Sequence, residues 1–414
     1  MAYLFLALLL PELSLQLPHL TLKSSSLQSR AESVYSFDLS RVTPRVAVVD
    51  DVSASDSSDP GLIRDVERRS KYLFPITVEG EVFQMEMDTG SSDTWIIRTG
   101  FSCYEYYDRS SDIFSEPQPQ KVCNFGPTYT PGPGFKINPS IIEKQGYRGG
   151  TRYVRGPMGH VSLSIGGVTV QQLIGVPNKT SFHGYGEHEQ SGMLGMAQKG
   201  LTRAYNATNG RSVPYSPIMQ TIFDTVQLPA KQFSLALSRD DSNNGNGGVF
   251  TIGGLPENTP SVNISNKTPT SAEMRLFTKY SDDELTFYSI LVDDFFVGDN
   301  KHARGLQILI DSGANTFEVP EATAKTMNSL WSPPSPVGDA RVSIACNALL
   351  TKNIGITIGG RKYNVSSQDL IRKRKDETCS SLITSSTEED GYVIGDPFLK
   401  NVLAVFDWKD STME

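Results

Sequence analysis

Two short acidic triplets are the residues best suited to chemistry in this chain. Asp88-Thr89-Gly90 ends the alternating run Gln84-Met85-Glu86-Met87, and Asp311-Ser312-Gly313 ends the apolar run from Leu306 to Ile310. Each is followed further on by two apolar residues and a glycine, Met193-Leu194-Gly195 in the first half and Val393-Ile394-Gly395 in the second. An isolated Asp-Thr-Gly carries almost no information, but here the whole order occurs twice. Two carboxyls brought within about 3 Å of one another cannot both ionise, so they share a proton. One can then act as general base on a water while the other donates to a substrate carbonyl. The small residues after each Asp permit a tight turn and supply hydroxyl and N–H donors that orient the carboxyls.

Strand-end carboxyls need β-structure to hold them, and the texture of the chain supplies it. Runs at 72–78 and 82–87, separated by Glu79-Gly80-Glu81, predict a hairpin. Similar runs recur at 161–165, 233–237, 249–252, 287–292, 307–310, 354–358 and 402–406, punctuated by Gly, Asn, Asp and Pro. Helical patterns are few, at 216–226 and 321–330. With 35 glycines and 24 prolines, the 414-residue chain reads as mostly β. Its length suits two or three domains. A net charge of −8 excludes a basic nucleic-acid-binding surface as its main business. No apolar run reaches the roughly 18 residues that span a bilayer.

The N-terminus predicts export. Residues 3–10 (YLFLALLL) form an apolar run of signal-peptide length before Pro11, without a basic leader or a small-residue cleavage site. Five sequons, at Asn178, Asn206, Asn263, Asn266 and Asn364, fit a secreted glycoprotein. Residues 21–69 are rich in Ser, Asp and Arg and too polar to bury a core. They end at Arg68-Arg69, a dibasic processing site. The expected division is a signal peptide at 1–20, a propeptide at 21–69, an N-terminal lobe at 70–245 and a C-terminal lobe at 246–414. The segment from Arg239 to Gly248 (RDDSNNGNGG) reads as the linker by composition.

From Tyr72 to Trp408 the sequence resembles the pepsin-like aspartic peptidases. Asp88-Thr89-Gly90-Ser91-Ser92-Asp93-Thr94-Trp95 is similar to the family's D-T-G-S-S-x-x-W, and Asp311-Ser312-Gly313-Ala314 to its second D-[TS]-G-[TSA]. Ser191 to Ala197 resembles the D-G-I-L-G-L-A element, with Ser191 in place of Asp. Gly395-Asp396-Pro397-Phe398-Leu399, with Val405-Phe406-Asp407, resembles G-D-x-F-L…V-F-D. The resemblance implies a bilobal β fold with a cleft between related lobes, Asp88 and Asp311 as the catalytic pair, and an acidic optimum. Thr89, Gly90, Ser91, Trp95, Ser312, Gly313 and Ala314 are then active-site support. It also implies a disulfide Cys346–Cys379, and Cys103–Cys123 is expected as the matching bridge of the first lobe.

Two departures stand out. The family's flap motif, Y-G-[DT]-G-[ST], is best matched by Tyr147-Arg148-Gly149-Gly150-Thr151, which makes Tyr147, Gly150 and Thr151 the expected flap and substrate-binding residues and Tyr153 the competitor for the flap tyrosine. After Trp408 only Lys-Asp-Ser-Thr-Met-Glu follows, where the family continues into a strand of the type x-[IV]-G-[FL]-A. That difference predicts a neighbouring strand with unpaired backbone groups.

Other candidates read as bland. His183, Glu187, His188 and Glu189 have glycines among them and lack helical zinc-site spacing, so a solvated loop is expected and no metal. The run Arg372 to Lys375 reads as exposed surface within the second disulfide loop. No G-x-S-x-G, phosphate loop or dinucleotide fingerprint occurs. The expected protein is a monomeric, cofactor-free aspartic endopeptidase acting on peptide or protein substrates. It binds no nucleic acid, its mature chain carries no transmembrane segment, and it is secreted, with a vacuole as the other destination. The other function class is an inactive pepsin-like binding or inhibitor protein.

Overall fold

The hairpin that delivers the first Asp turns at Glu79 and Gly80, both with positive φ (50° and 86°), which matches the twist of the strands on either side. Those strands, Lys71–Val78 and Glu81–Asp88, pair antiparallel. The second ends among buried residues, Met85, Glu86 and Met87, so Asp88 is carried into the interior rather than to an exposed edge. In this computed structural model the described residues are 35–36, 64–66, 71–108, 110–147, 152–184, 188–239, 247–256, 270–277, 284–334, 342–374 and 377–414. All belong to one compact unit, Ser33–Glu414. The expected signal peptide and Arg68-Arg69 lie outside them.

The fold is mostly β, as predicted, and built on repetition. Gly192–Gly195 lies parallel to Glu81–Asp88, with Gly195 opposite Asp88. In the second half Tyr392–Ile394 lies parallel to Asn300–Ile310, with Ile394 opposite Ile310, the residue before Asp311. The two apolar-apolar-Gly elements are therefore the strands laid against the two Asp-bearing strands. The first half builds a twelve-stranded sheet and the second a seven-stranded sheet. A six-stranded sheet takes Gln232–Leu237 and Gly248–Ile252 at its middle and Ala404–Asp407 beside them. The strands flanking the expected linker are thus paired partners in one sheet, and residues 240–246 between them lie outside the described residues.

The predicted helices form as Ile218–Thr225 and Glu321–Asn328. The first buries Ile218, Met219, Ile222 and Phe223 along one face. A third helix, Asp396–Leu399, was not predicted, since four residues are too few to show a period. Two strands fall in the segment read as unable to bury a core: Tyr35–Ser36 pairs with Thr251 and Ile252, and Arg64–Val66 pairs with residues 71–73.

The expectation of unpaired groups near the last residues is corrected. Ala404–Asp407 pairs with Gln232–Leu237 on one side and with Thr412–Met413 on the other. Glu414 also exchanges backbone hydrogen bonds with Val405. The residues after Trp408 turn back at Ser411 (φ 51°) and satisfy the strand themselves. Both disulfides form as expected, Cys103–Cys123 and Cys346–Cys379, one in each half.

Candidate active site

The two acidic turns meet face to face, and each holds the other. Thr89 Oγ1 donates to the Ile310 carbonyl and accepts from the Ser312 N–H at 2.9 Å. Ser312 Oγ donates to the Met87 carbonyl and accepts from the Thr89 N–H at 3.1 Å. Each strand end is thus tied to the opposite half by the residue after its Asp. The glycines are required by the close approach. A Cβ on Gly90 would sit 2.4 Å from Asp311 Oδ2, and one on Gly313 would sit 2.4 Å from Asp88 Oδ1. Gly90 and Gly313 instead turn their N–H groups to their own carboxyls, at 2.8 Å to Asp88 Oδ1 and 2.7 Å to Asp311 Oδ1.

The Asp88 and Asp311 carboxyls lie each against the other's turn, close enough for each to act on the ionisation of the other. Burial and the negative charge of Asp311 push Asp88 up to about 7, against the hydrogen bonds from Ser91 and Gly90. Burial also raises Asp311, but the Asp88 carboxyl, the Gly313 N–H and the Lys71 ammonium all pull it back down. The two environments push the carboxyls apart, the arrangement in which one holds a proton while the other is ionised. Ser91 donates to Asp88 Oδ2 at 2.5 Å, whereas Ala314, at the matching place after Asp311, has no hydroxyl to give.

Beneath the pair, the Met196 N–H donates to the Asp88 carbonyl and the Ala197 N–H to the Ser91 carbonyl. In the second half the Asp311 N–H donates to Ile394 and the Asp396 N–H to Ala314. Ser191 Oγ, where the family has an Asp carboxylate, accepts from the Gln84 N–H at 3.2 Å.

Tyr147 ends the strand Lys136–Tyr147 and lies opposite Arg152 in the hairpin with Arg152–Ile165. Its hydroxyl accepts from Trp95 Nε1 at 2.7 Å, and its ring packs edge-on against Phe182. Tyr153 points elsewhere and stacks on Tyr107 at 3.8 Å. The expected flap residues Gly150 and Thr151 lie outside the described residues. Among the sequons, Asn178 and Asn364 are exposed and Asn206 is half-buried, while Asn263 and Asn266 lie outside the described residues. Glu187 also lies outside them; His188 Nδ1 sits 3.4 Å from the Phe125 carbonyl.

Sequence reasoning missed several polar residues around this core. Lys71 and Glu86 form a buried ion pair, and Lys71 Nζ also donates to the Gly313 carbonyl. Asp93 is buried and accepts from the Arg203 N–H and the Tyr215 hydroxyl. Glu143, on the strand that leads to Tyr147, is fully buried and occupies space that a Cβ at Gly175 would fill. Glu86 stands between two methionines near the end of Glu81–Asp88, a place where the alternation predicts a solvent-facing carboxyl rather than a buried one.

Known proteins resemble this chain in sequence and in fold. A family model described as eukaryotic aspartyl protease matches residues 71–414. The chain is 30% identical over 348 residues to a probable aspartic-type endopeptidase of Aspergillus fumigatus, covering 81% of this chain and 76% of that protein. It is 21% identical to Rhizopuspepsin-4 of Rhizopus niveus, covering 86% and 79%. The crystal structure of an aspartic proteinase from Irpex lacteus superposes with a TM-score of 0.62 at 15% identity, over 85% of this chain and 96% of that one.

Proposed function

The chain belongs to the eukaryotic aspartyl protease family, and we propose that it hydrolyses peptide bonds in extended protein segments by a water activated between Asp88 and Asp311. The observation that carries this reading is the reciprocal Thr89–Ser312 hydrogen bonding, which holds two carboxyls from opposite halves in mutual contact. The ionised carboxyl takes a proton from water as its oxygen attacks the scissile carbonyl carbon. The protonated carboxyl gives its proton to the carbonyl oxygen, and a tetrahedral gem-diol forms. Its collapse breaks the C–N bond, with a proton delivered to the leaving nitrogen. Tyr147, hydrogen-bonded to Trp95, would close over the bound segment from the flap side.

One shared proton is essential, so activity belongs on the acid side and is lost as pH rises past the upper titration of the pair, near the value of about 7 reached by Asp88. The export features support a secreted glycoprotein made as a precursor, with residues before Ser70 occluding the cleft at neutral pH. The test is cleavage of a denatured protein by purified protein across pH, with and without a transition-state-mimicking inhibitor. Asp88→Asn and Asp311→Asn should each reduce turnover to background. No cleavage by processed protein anywhere from about pH 2 to 6 would replace the peptidase by a pepsin-like binding protein.

A further inference from the structure

Lys71 and Glu86 are each 2% exposed, and the ammonium donates both to Glu86 Oε1 and to the carbonyl of Gly313 in the other half of the molecule. Gln190 Nε2 completes the anchorage, donating to Glu86 Oε2 and to the Gly192 carbonyl, both at 3.0 Å. Burying two charges is costly, and a hydrophobic pair of similar volume is often at least as stable. Stability alone is therefore a poor reason for an ion pair here. Its position supplies a better one. Glu86 is two residues before Asp88 on the same strand, and Gly313 is the residue whose N–H donates to Asp311. The two carboxyls of the dyad are also supported unequally. Asp88 has the Ser91 hydroxyl, while Asp311 faces Ala314 and has a cation behind its turn instead.

We propose that Lys71 is a positioning residue for the second carboxyl: anchored by Glu86 and Gln190 in the first half, it holds the Gly313 turn of the second and makes Asp311 the ionised partner, leaving the shared proton on Asp88. This assignment rests on the peptidase reading above. It makes Asp311 the group that takes the proton from water and Asp88 the one that protonates the substrate carbonyl oxygen. After the attack the proton has moved to Asp311 and Asp88 carries the negative charge, so charge and atoms balance. Asp88, from the strand of Glu86, and Asp311, from the opposing turn, face the pair. Tyr147 faces Asp88 from the flap side. Burial pushes the Glu86 carboxyl up, against the pull of the Lys71 ammonium and the Gln190 amide.

The experiment is the pH profile of kcat, and of inhibitor affinity, for Lys71→Met and Glu86→Gln. Removing the cation should move the limbs of the profile up by about one pH unit and lower kcat at least about ten-fold. Removing the anion should move the alkaline limb down. Opposite shifts are not a result that a purely structural pair can give. Shifts of the same sign, or a uniform loss with an unmoved profile, would overturn the proposal. If either single variant fails to fold, Lys71→Met/Glu86→Leu decides, since the apolar pair preserves volume without a buried charge. It should show lowered kcat that Ala314→Ser, by supplying the missing hydroxyl, partly restores. Absence of that rescue overturns the proposal. A wild-type chain without activity would instead defeat the peptidase reading, and the inhibitor profile would still report the charge on the dyad.

Discussion

Thr89 and Ser312 each use one hydroxyl twice, as donor to a strand-end carbonyl and as acceptor from the opposing N–H. Neither hydroxyl is free to lean toward substrate, and the backbone groups they serve are buried. Thr89→Val keeps the shape of the side chain and removes both bonds. It leaves the Ser312 N–H and the Ile310 carbonyl unsatisfied, at about 1–3 kcal/mol for each group. We expect a lower Tm and a kcat reduced about 10- to 100-fold, with KM little changed, because a small misplacement of the carboxyls weakens the reaction more than binding. Steady-state kinetics on one peptide checks this; a change confined to KM would contradict it. This part of the site was legible in the sequence, since each triplet concentrates acid, hydroxyl and glycine within a few residues. Lys71 was not. Its partners lie 15 positions away at Glu86 and 242 away at Gly313, and on an alternating strand a Lys or Glu ordinarily marks the solvent face.

At the scale of elements, the hairpin of Lys136–Tyr147 and Arg152–Ile165 carries two separable features. Its end presents Tyr147 to Trp95. Tyr147→Phe keeps the ring on Phe182 but leaves the indole N–H without its acceptor, while Tyr147→Ala removes the packing too. We expect kcat/KM to fall about ten-fold in the first variant and further in the second, with inhibitor binding weakened in the same order; equal losses in both would contradict the ordering. Four residues earlier, Glu143 is raised well above its ordinary range by burial and by the charge of Asp93, and burial raises Asp93 to about 6. A carboxyl whose folded value is raised binds more protons in the folded state, so its contribution to stability is present below the unfolded value and lost as pH rises toward the folded one. Glu143→Gln should therefore match the wild type in thermal unfolding near pH 4 and exceed it near neutral pH. A variant that tracks the wild type at both would refute this. Strands and the two longer helices could be predicted from local runs. Which strands lie together could not, because parallel partners such as Gly192–Gly195 and Glu81–Asp88 are set by contacts more than a hundred residues apart in the chain. The helix Asp396–Leu399 was missed because four residues are too few to show a helical period.

Strands from both halves meet in the six-stranded sheet, Gln232–Leu237 from the first and Gly248–Ile252 and Ala404–Asp407 from the second. Each disulfide closes a loop within one half, and neither joins a residue before Arg68-Arg69 to one after it. Yet strand pairing does cross that point. Tyr35–Ser36 adds to the edge of Gly248–Ile252, and Arg64–Val66 runs antiparallel to the beginning of Lys71–Val78. Severing the backbone at the dibasic pair would therefore not by itself release the upstream piece. The cut protein should migrate as one species in native gel filtration and separate into two polypeptides on a non-reducing denaturing gel. Loss of the smaller polypeptide in native buffer would show that the two paired strands are too weak to retain it. If the pairing holds, a cut at the dibasic pair and the release of the upstream piece would be separate events, and the second would set when the rest of the chain is free of it.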